Sequence, residues 1–188
     1  MITEMGRDLQ NIDDDLIYAK SAIKQKICKD LDIIKYLHNE ELERVGAEPE
    51  DYFNVNIFPF IRIPGTLDKV KNFVCFAVDD TEVDRYNDVI KSQTIQFVVF
   101  CYSDDVDTGI GIARHDLLGF FLRDDFNWSN LCGLQLKLVS NKESVTDTNY
   151  SCRTLKFEVT KPNMLQRGVT KPMPRRNDEV NRHGLITG

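Results

Sequence analysis

NFVCFAV at residues 72–78 and VIKSQTIQFVVFCY at residues 89–102 decide the fold of this chain. Behind Asn72 every side chain of the first stretch is apolar, the pattern of a strand covered on both faces and so central in its sheet. The second stretch is rich in β-branched and aromatic residues, which fit a pleated surface. It is also long enough to project beyond the sheet as part of a hairpin. An acidic connection, 79–87, joins the two.

Upstream, VNIFPFIRI (55–63) reads as a further strand, which Pro59 confines to an edge or bulged position. Pro64-Gly65 then makes a turn. Before it, Leu16, Ala19, Ile23, Ile27, Leu31, Ile34 and Leu37 fall three or four apart and predict one amphipathic helix over 13–37. Asp13, Asp14 and Asp15 stand where carboxylates cap free N–H groups. A short polar helix over Glu40–Val45 ends at Gly46.

Downstream, Asp104–Thr108 lead into a second helix carrying Ile110, Ala113, Leu117, Phe120 and Phe121. Leu134–Val139 and Leu155–Val159 alternate as half-exposed strands, with Ser140–Asn149 read as a polar hairpin loop between them. The predicted class is α+β: a mainly antiparallel sheet, with a long N-terminal helix and a second helix packed on one face. A single domain is expected over 1–161, followed by an extended basic C-terminal arm at 162–188 that cannot form its own core.

Charge divides the chain. The 188 residues carry a formal −6, yet residues 161–188 hold six Lys/Arg against Asp178 and Glu179, so the body is strongly acidic. Such a body repels nucleic acid over most of its surface, while the basic arm invites an acidic partner. No run of about 20 apolar residues is present, so no membrane partner is expected. The start, Met1-Ile2-Thr3-Glu4-Met5, lacks the features of a signal peptide. Cys28, Cys75, Cys101, Cys132 and Cys152 are widely spaced without a CxxC pair and read as buried thiols of a reducing compartment.

Signatures of catalysis are sparse. There is no phosphate loop and no GxSxG elbow, and Gly109-Ile110-Gly111 lacks the third glycine of a dinucleotide fingerprint. His115 and Asp116 are adjacent on a helix and point apart, so spacing alone makes no acid–base dyad. His38 and His183 read as capping or surface residues, and no catalytic, cofactor or metal residue is assigned. The enzymatic rival is a metal-dependent nuclease using Asp79, Asp80 and Asp84 with Asp104, Asp105 and Asp107, clustered where two-metal chemistry would need them. No Glu-x-Lys pair accompanies them. A monomeric adaptor built on the same sheet is the third reading.

Between Asp107 and Val159 the order of motifs carries a resemblance. Arg114-His115-Asp116-Leu117-Leu118 opens a helix; Phe126-Asn127-Trp128-Ser129 and Gly133-Leu134-Gln135-Leu136 lead into a strand, and Arg153-Thr154-Leu155-Lys156-Phe157 forms another. With the long strand Thr94–Tyr102 before them, these resemble the tail-terminator and tail-completion (neck) proteins of tailed bacteriophages, over about residues 13–160. The acidic loop 79–88 and the arm exceed that family's minimal fold.

The resemblance implies a structural virion protein and not an enzyme. It would form a homo-oligomeric ring, usually a hexamer, in the neck or at the end of the tail tube, after assembly in the bacterial host cytoplasm. Tail-tube and head-connector proteins would be its partners, and packaged DNA would pass an acidic lumen without specific binding. Its subunit interface is expected at Val89, Lys91, Thr94 and Ile95 on the long strand, at Arg114 and Asp116, and at Arg175 and Arg176 on the arm.

Overall fold

The computed structural model describes residues 14–62, 71–81, 90–131, 135–146 and 149–162. Within them lie helices α1 (Asp15–Lys29), α2 (Leu31–Leu37), α3 (Glu40–Val45) and α4 (Arg114–Phe126). The strands are β1 (Ile57–Phe58), β2 (Asn72–Thr81), β3 (Ile90–Tyr102), β4 (Lys137–Val145) and β5 (Tyr150–Pro162). They form one five-stranded sheet in the order β1-β2-β3-β5-β4. Only the β1–β2 pair is parallel; the rest are antiparallel. The α+β expectation therefore holds, with β2 and β3 paired on both edges.

The helix expected over 13–37 is two helices. Asp14 caps α1, accepting from the backbone N–H groups of Leu16 and Ile17 at 2.8 and 3.0 Å. Asp30 then leaves helical geometry, with φ −84° and ψ 101°, and its carboxylate accepts from Asp32 N and Ile33 N to start α2. This break rotates the apolar stripe. Ile33 becomes fully buried, while Leu31, placed on the stripe by spacing, stands 68% exposed. Gly46 ends α3 as read, at φ 65°, a conformation that glycine adopts without Cβ strain.

Alternation along the strands sorts two apolar layers. Val74, Phe76, Val78, Ile95, Phe97, Val99, Leu155 and Phe157 face the helices and pack with Ile23, Ile27, Leu37, Leu118, Leu122 and Phe126. Phe97 sits at the centre, its ring 4.7 Å from that of Phe126 and 5.7 Å, edge-on, from that of Phe157. Each such side chain contributes roughly 1.5–3 kcal/mol by burial. On the opposite face Phe58, Phe73, Cys75, Val98, Phe100, Tyr150 and Cys152 make a second, smaller cluster. That second layer is why β2 is apolar on both sides.

Three boundaries differ from the sequence reading. The strand expected at 55–63 contracts to Ile57–Phe58. Residues 140–145, expected in a hairpin loop, extend β4 past a bulge between Leu138 and Ser140. Ile110, expected on the second helix, lies in the loop before α4 and is 57% exposed. β5 runs to Pro162, one residue into the expected arm; the rest of the arm lies outside the described residues. No helix among the described residues is long and apolar enough to cross a membrane.

Candidate functional site

The aspartates that sequence grouped as a nuclease centre sit at the two ends of the sheet. Asp105 lies where β2 begins. Its carboxylate accepts from His38 Nδ1 at 3.0 Å, from Asn72 Nδ2 at 2.6 Å and from Arg114 Nη2 at 3.3 Å. Arg114 also donates to three backbone carbonyls: Asp105 at 2.7 Å, Tyr36 at 3.3 Å and Asp107 at 3.3 Å. Asn72 donates to the α2 carbonyl of Leu37, Asn56 to the carbonyl of Asn72, and Asn39 to Asn56 Oδ1 at 2.7 Å. Asn39 in turn caps α3. The network ties α2, α3, β2 and the start of α4 together through groups that burial would otherwise penalise.

Asp80 lies at the other end. There Lys91, 1% exposed, donates to Asp80 at 2.7 Å and to Asp15 at 3.0 Å. Gln93 donates to the second oxygen of Asp80, and Lys161 pairs with Asp15 at 3.3 Å. Burial alone would push the Lys91 ammonium down, but the Asp80 and Asp15 carboxylates more than offset it and hold Lys91 above its ordinary value. Hydrogen bonding from Lys91 holds Asp15 below the usual carboxylate range.

Ten residues of β2 separate the two groups, about 30 Å at strand rise. Two-metal chemistry needs ions about 4 Å apart. The two aspartate groups therefore do not make one centre, and Asp80 and Asp105 are each engaged by internal cations. Asp84 lies outside the described residues.

One mixed cluster remains at the outer edge. His115 is buried, with Nε2 3.2 Å from Glu143 Oε1 on β4 and 3.8 Å from Asp116 Oδ1. The adjacent pair thus shares a side of α4 without hydrogen bonding. Arg153 pairs with Asp116 and donates to Asn141 Oδ1 at 2.7 Å. These donors could be imagined around a cation, but they do not fit one. The Arg153 guanidinium already neutralises Asp116. A metal-bound histidine passes its second N–H to an acceptor, whereas His115 Nδ1 is buried without a partner.

The expected interface residues mostly face inward. Lys91, Thr94 and Ile95 are buried, and β3 is paired along both edges, so the long strand offers a neighbour neither side chains nor free backbone there. Arg114 is likewise buried within the Asp105 network, and half-buried Asp116 is bound by Arg153. These placements engage Lys91, Thr94, Ile95 and Arg114 within the subunit's own fold. Val89, Arg175 and Arg176 lie outside the described residues.

Two surfaces were missed. β4, an outermost strand, has no strand partner on its outer edge among the described residues, although Asn127 Oδ1 accepts from Leu138 N at 3.0 Å near its start; Val139 is 46% and Val145 72% exposed, with Trp128 59% exposed close by. Its polar alternation was the available signal, hidden because residues 140–149 read as a loop. The other is the strip 40–51, where Glu40, Glu41, Glu43, Glu48, Glu50 and Asp51 are all exposed and none forms an ion pair among the described residues. Its sequence signal was plain, six carboxylates against Arg44, but it read only as a polar helix.

The family model named YomW matches residues 30–159, more than half of the chain, and the chain belongs to that family. The match begins at Asp30, the residue that breaks the first helix, and runs to the end of the sheet. The family name is phage-like and prophage-derived, which associates the chain with bacteriophages. A search among curated proteins finds no match.

Proposed function

We propose that this chain is a structural virion protein that assembles into a homo-oligomeric ring in the neck or at the tail-tube end of a tailed phage, joining tail to head. The observation that carries the reading is the edge of β4 beyond Leu138, which has no strand partner among the described residues. A sheet edge adds a neighbouring strand through main-chain hydrogen bonds, the cheapest way for one fold to bind copies of itself. β1, the opposite edge, is two residues long and buried, so β4 is the edge long enough for this among the described residues. Its bulge, with Lys137, Lys142 and Glu143, guards it against indiscriminate pairing and leaves the register to a specific partner. The acidic body suits a lumen through which DNA slides without adhering. Phage association and the engagement of Asp80 and Asp105 within the fold favour assembly over catalysis.

The test is native mass spectrometry of the full chain and of the chain lacking residues 162–188. A six-fold or other closed multiple, or joining of isolated tail assemblies, is the expected result. A strict monomer at high concentration that joins no such assembly refutes the reading.

A further inference from the structure

A groove of about 670 Å³ beside α2 and α3 lies against the Asp105 network. Its charged lining is engaged or offset. Arg114 and His38 are held by Asp105, and the charges of the other two, Lys35 and Glu43, are opposite. What remains for an occupant is Leu31, Ile34, Tyr36, Ala47 and Tyr52, and Leu31 is 68% exposed. A charged occupant would lose water there without gaining a free counter-charge, so the groove suits a neutral, apolar one.

The loop before α4 has the matching chemistry. Asp107 and Ala113 close it as an antiparallel bridge, Thr108 Oγ1 donates to the Ile112 carbonyl at 2.6 Å, and Gly109 N donates to the Asp107 carboxylate at 2.8 Å. Gly109 and Gly111 turn the chain at φ 75° and 78°, which glycine takes without Cβ strain. A Cβ at either position would meet nothing within 4 Å, so the tip stands clear of the subunit around it. Thr108–Ile112 contains no charged residue and presents Ile110 and Ile112 at 57% and 47% exposure. Burying them removes apolar surface from water, and a loop already closed loses little freedom on docking.

Tip and groove are neighbours on one subunit, because Thr108 at the base of the tip is part of the groove wall. Neither Ile110 nor Ile112 lines the groove of its own subunit. A projection beside a receptor that it leaves open is self-complementary: under a two-fold axis each of two copies gives its tip to the other.

We propose that Ile110 and Ile112 of one copy of this chain dock in the groove beside α2 and α3 of a second copy, and reciprocally, about a two-fold axis. The contact goes beyond the ring reading and uses none of β4. It joins two assemblies face to face, whether these are single subunits or rings.

Sedimentation of the full chain across concentration tests it. One variant, Ile110→Ser with Ile112→Ser, removes the apolar tip; another, Leu31→Glu with Ala47→Glu, puts carboxylates in the groove. Melting curves confirm that both are folded. Each should associate at least about ten-fold more weakly than wild type and show half its mass where wild type is assembled. Ile110→Leu with Ile112→Leu keeps the tip apolar and should keep the wild-type mass. An equimolar mixture of the tip and groove variants should associate more tightly than either alone and less tightly than wild type, because the mixed pair keeps one of the two contacts. A wild type that is monomeric at every concentration, a tip or groove variant with wild-type mass and affinity, or a mixture that gains nothing overturns the contact. A ring built on β4 survives these substitutions at half the wild-type mass, so the two readings fail separately.

Discussion

Both ends of the sheet carry a buried cation held by aspartate, and the two are built differently. Arg114 spends most of its donors on backbone carbonyls and reaches Asp105 within a web of asparagines, all with little exposure. Lys91 is as deeply placed, but its partners Asp15 and Asp80 keep 37% and 23% of their side chains in contact with solvent. The first cluster fixes the path of the chain, because its acceptors are main-chain groups. The second is an exchangeable charge pair whose carboxylates water can serve. Burial of the cation alone does not reveal which kind it is; what the partners lose without it does.

The sharpest way to break this contrast is Arg114→Met. It takes the guanidinium from the Asp105 carboxylate, which keeps His38 and Asn72, and its donors from three backbone carbonyls, and unfolding by urea should show a loss of about 3–5 kcal/mol. Asn56→Ala comes next, since Asn56 is fully buried and both donates to Asn72 and accepts from Asn39. Two orphaned groups predict about 2–3 kcal/mol in the same measurement.

Lys91→Met should cost under about 1.5 kcal/mol, since Met fills the space and the carboxylates turn to water. Its pH profile is more telling. The Asp15 value is lowered from 3.8, so its contribution is present above the unfolded value and lost as pH falls through the folded one. The Lys91 value is raised from 10.5, so its contribution is present below that and lost as pH rises past the folded value. Melting temperatures of wild type and variant should therefore differ by a constant amount across neutral pH and converge at both extremes. A gap that persists at pH 2 would show that packing, and not charge, holds that end together. Lys161→Ala should be smallest, within about 0.5 kcal/mol, because its partner Asp15 is over a third exposed.

How much of this was legible depended on whether the deciding signal lay within one element. The stripe of α1 was read from its spacing, and β2 and β3 from their apolar, β-branched and aromatic content, and the α+β class followed from them. The break at Asp30 was not, because Leu31, Ile34 and Leu37 continue the helical spacing across it; only the capping potential of Asp30 marks it. Residues 140–145 looked like a loop because an edge strand needs few apolar residues, and here neighbouring β5 supplies the burial. The burial of Lys91 was hidden for a related reason. A lysine in a strand usually marks solvent, and nothing local announces that Asp15, 76 positions earlier, comes to meet it. Long-range pairing of this kind is set by topology, which spacing within one element does not contain.

The free cysteines give the two apolar layers a means of being timed separately. Cys28 and Cys101 belong to the helix-covered layer, Cys75 and Cys152 to the cluster on the far face. Burial pushes the thiols of Cys75 and Cys152 up to about 11, and that of Cys101 higher still, so the native chain withholds thiolate from alkylating reagents. In a background with Cys132 replaced by serine, the rate at which each thiol is alkylated becomes a clock for its own layer. Four matching rates would mean that the sheet parts from its surroundings in one event. Faster labelling at 75 and 152 would mean that the far side breathes while the helices stay shut.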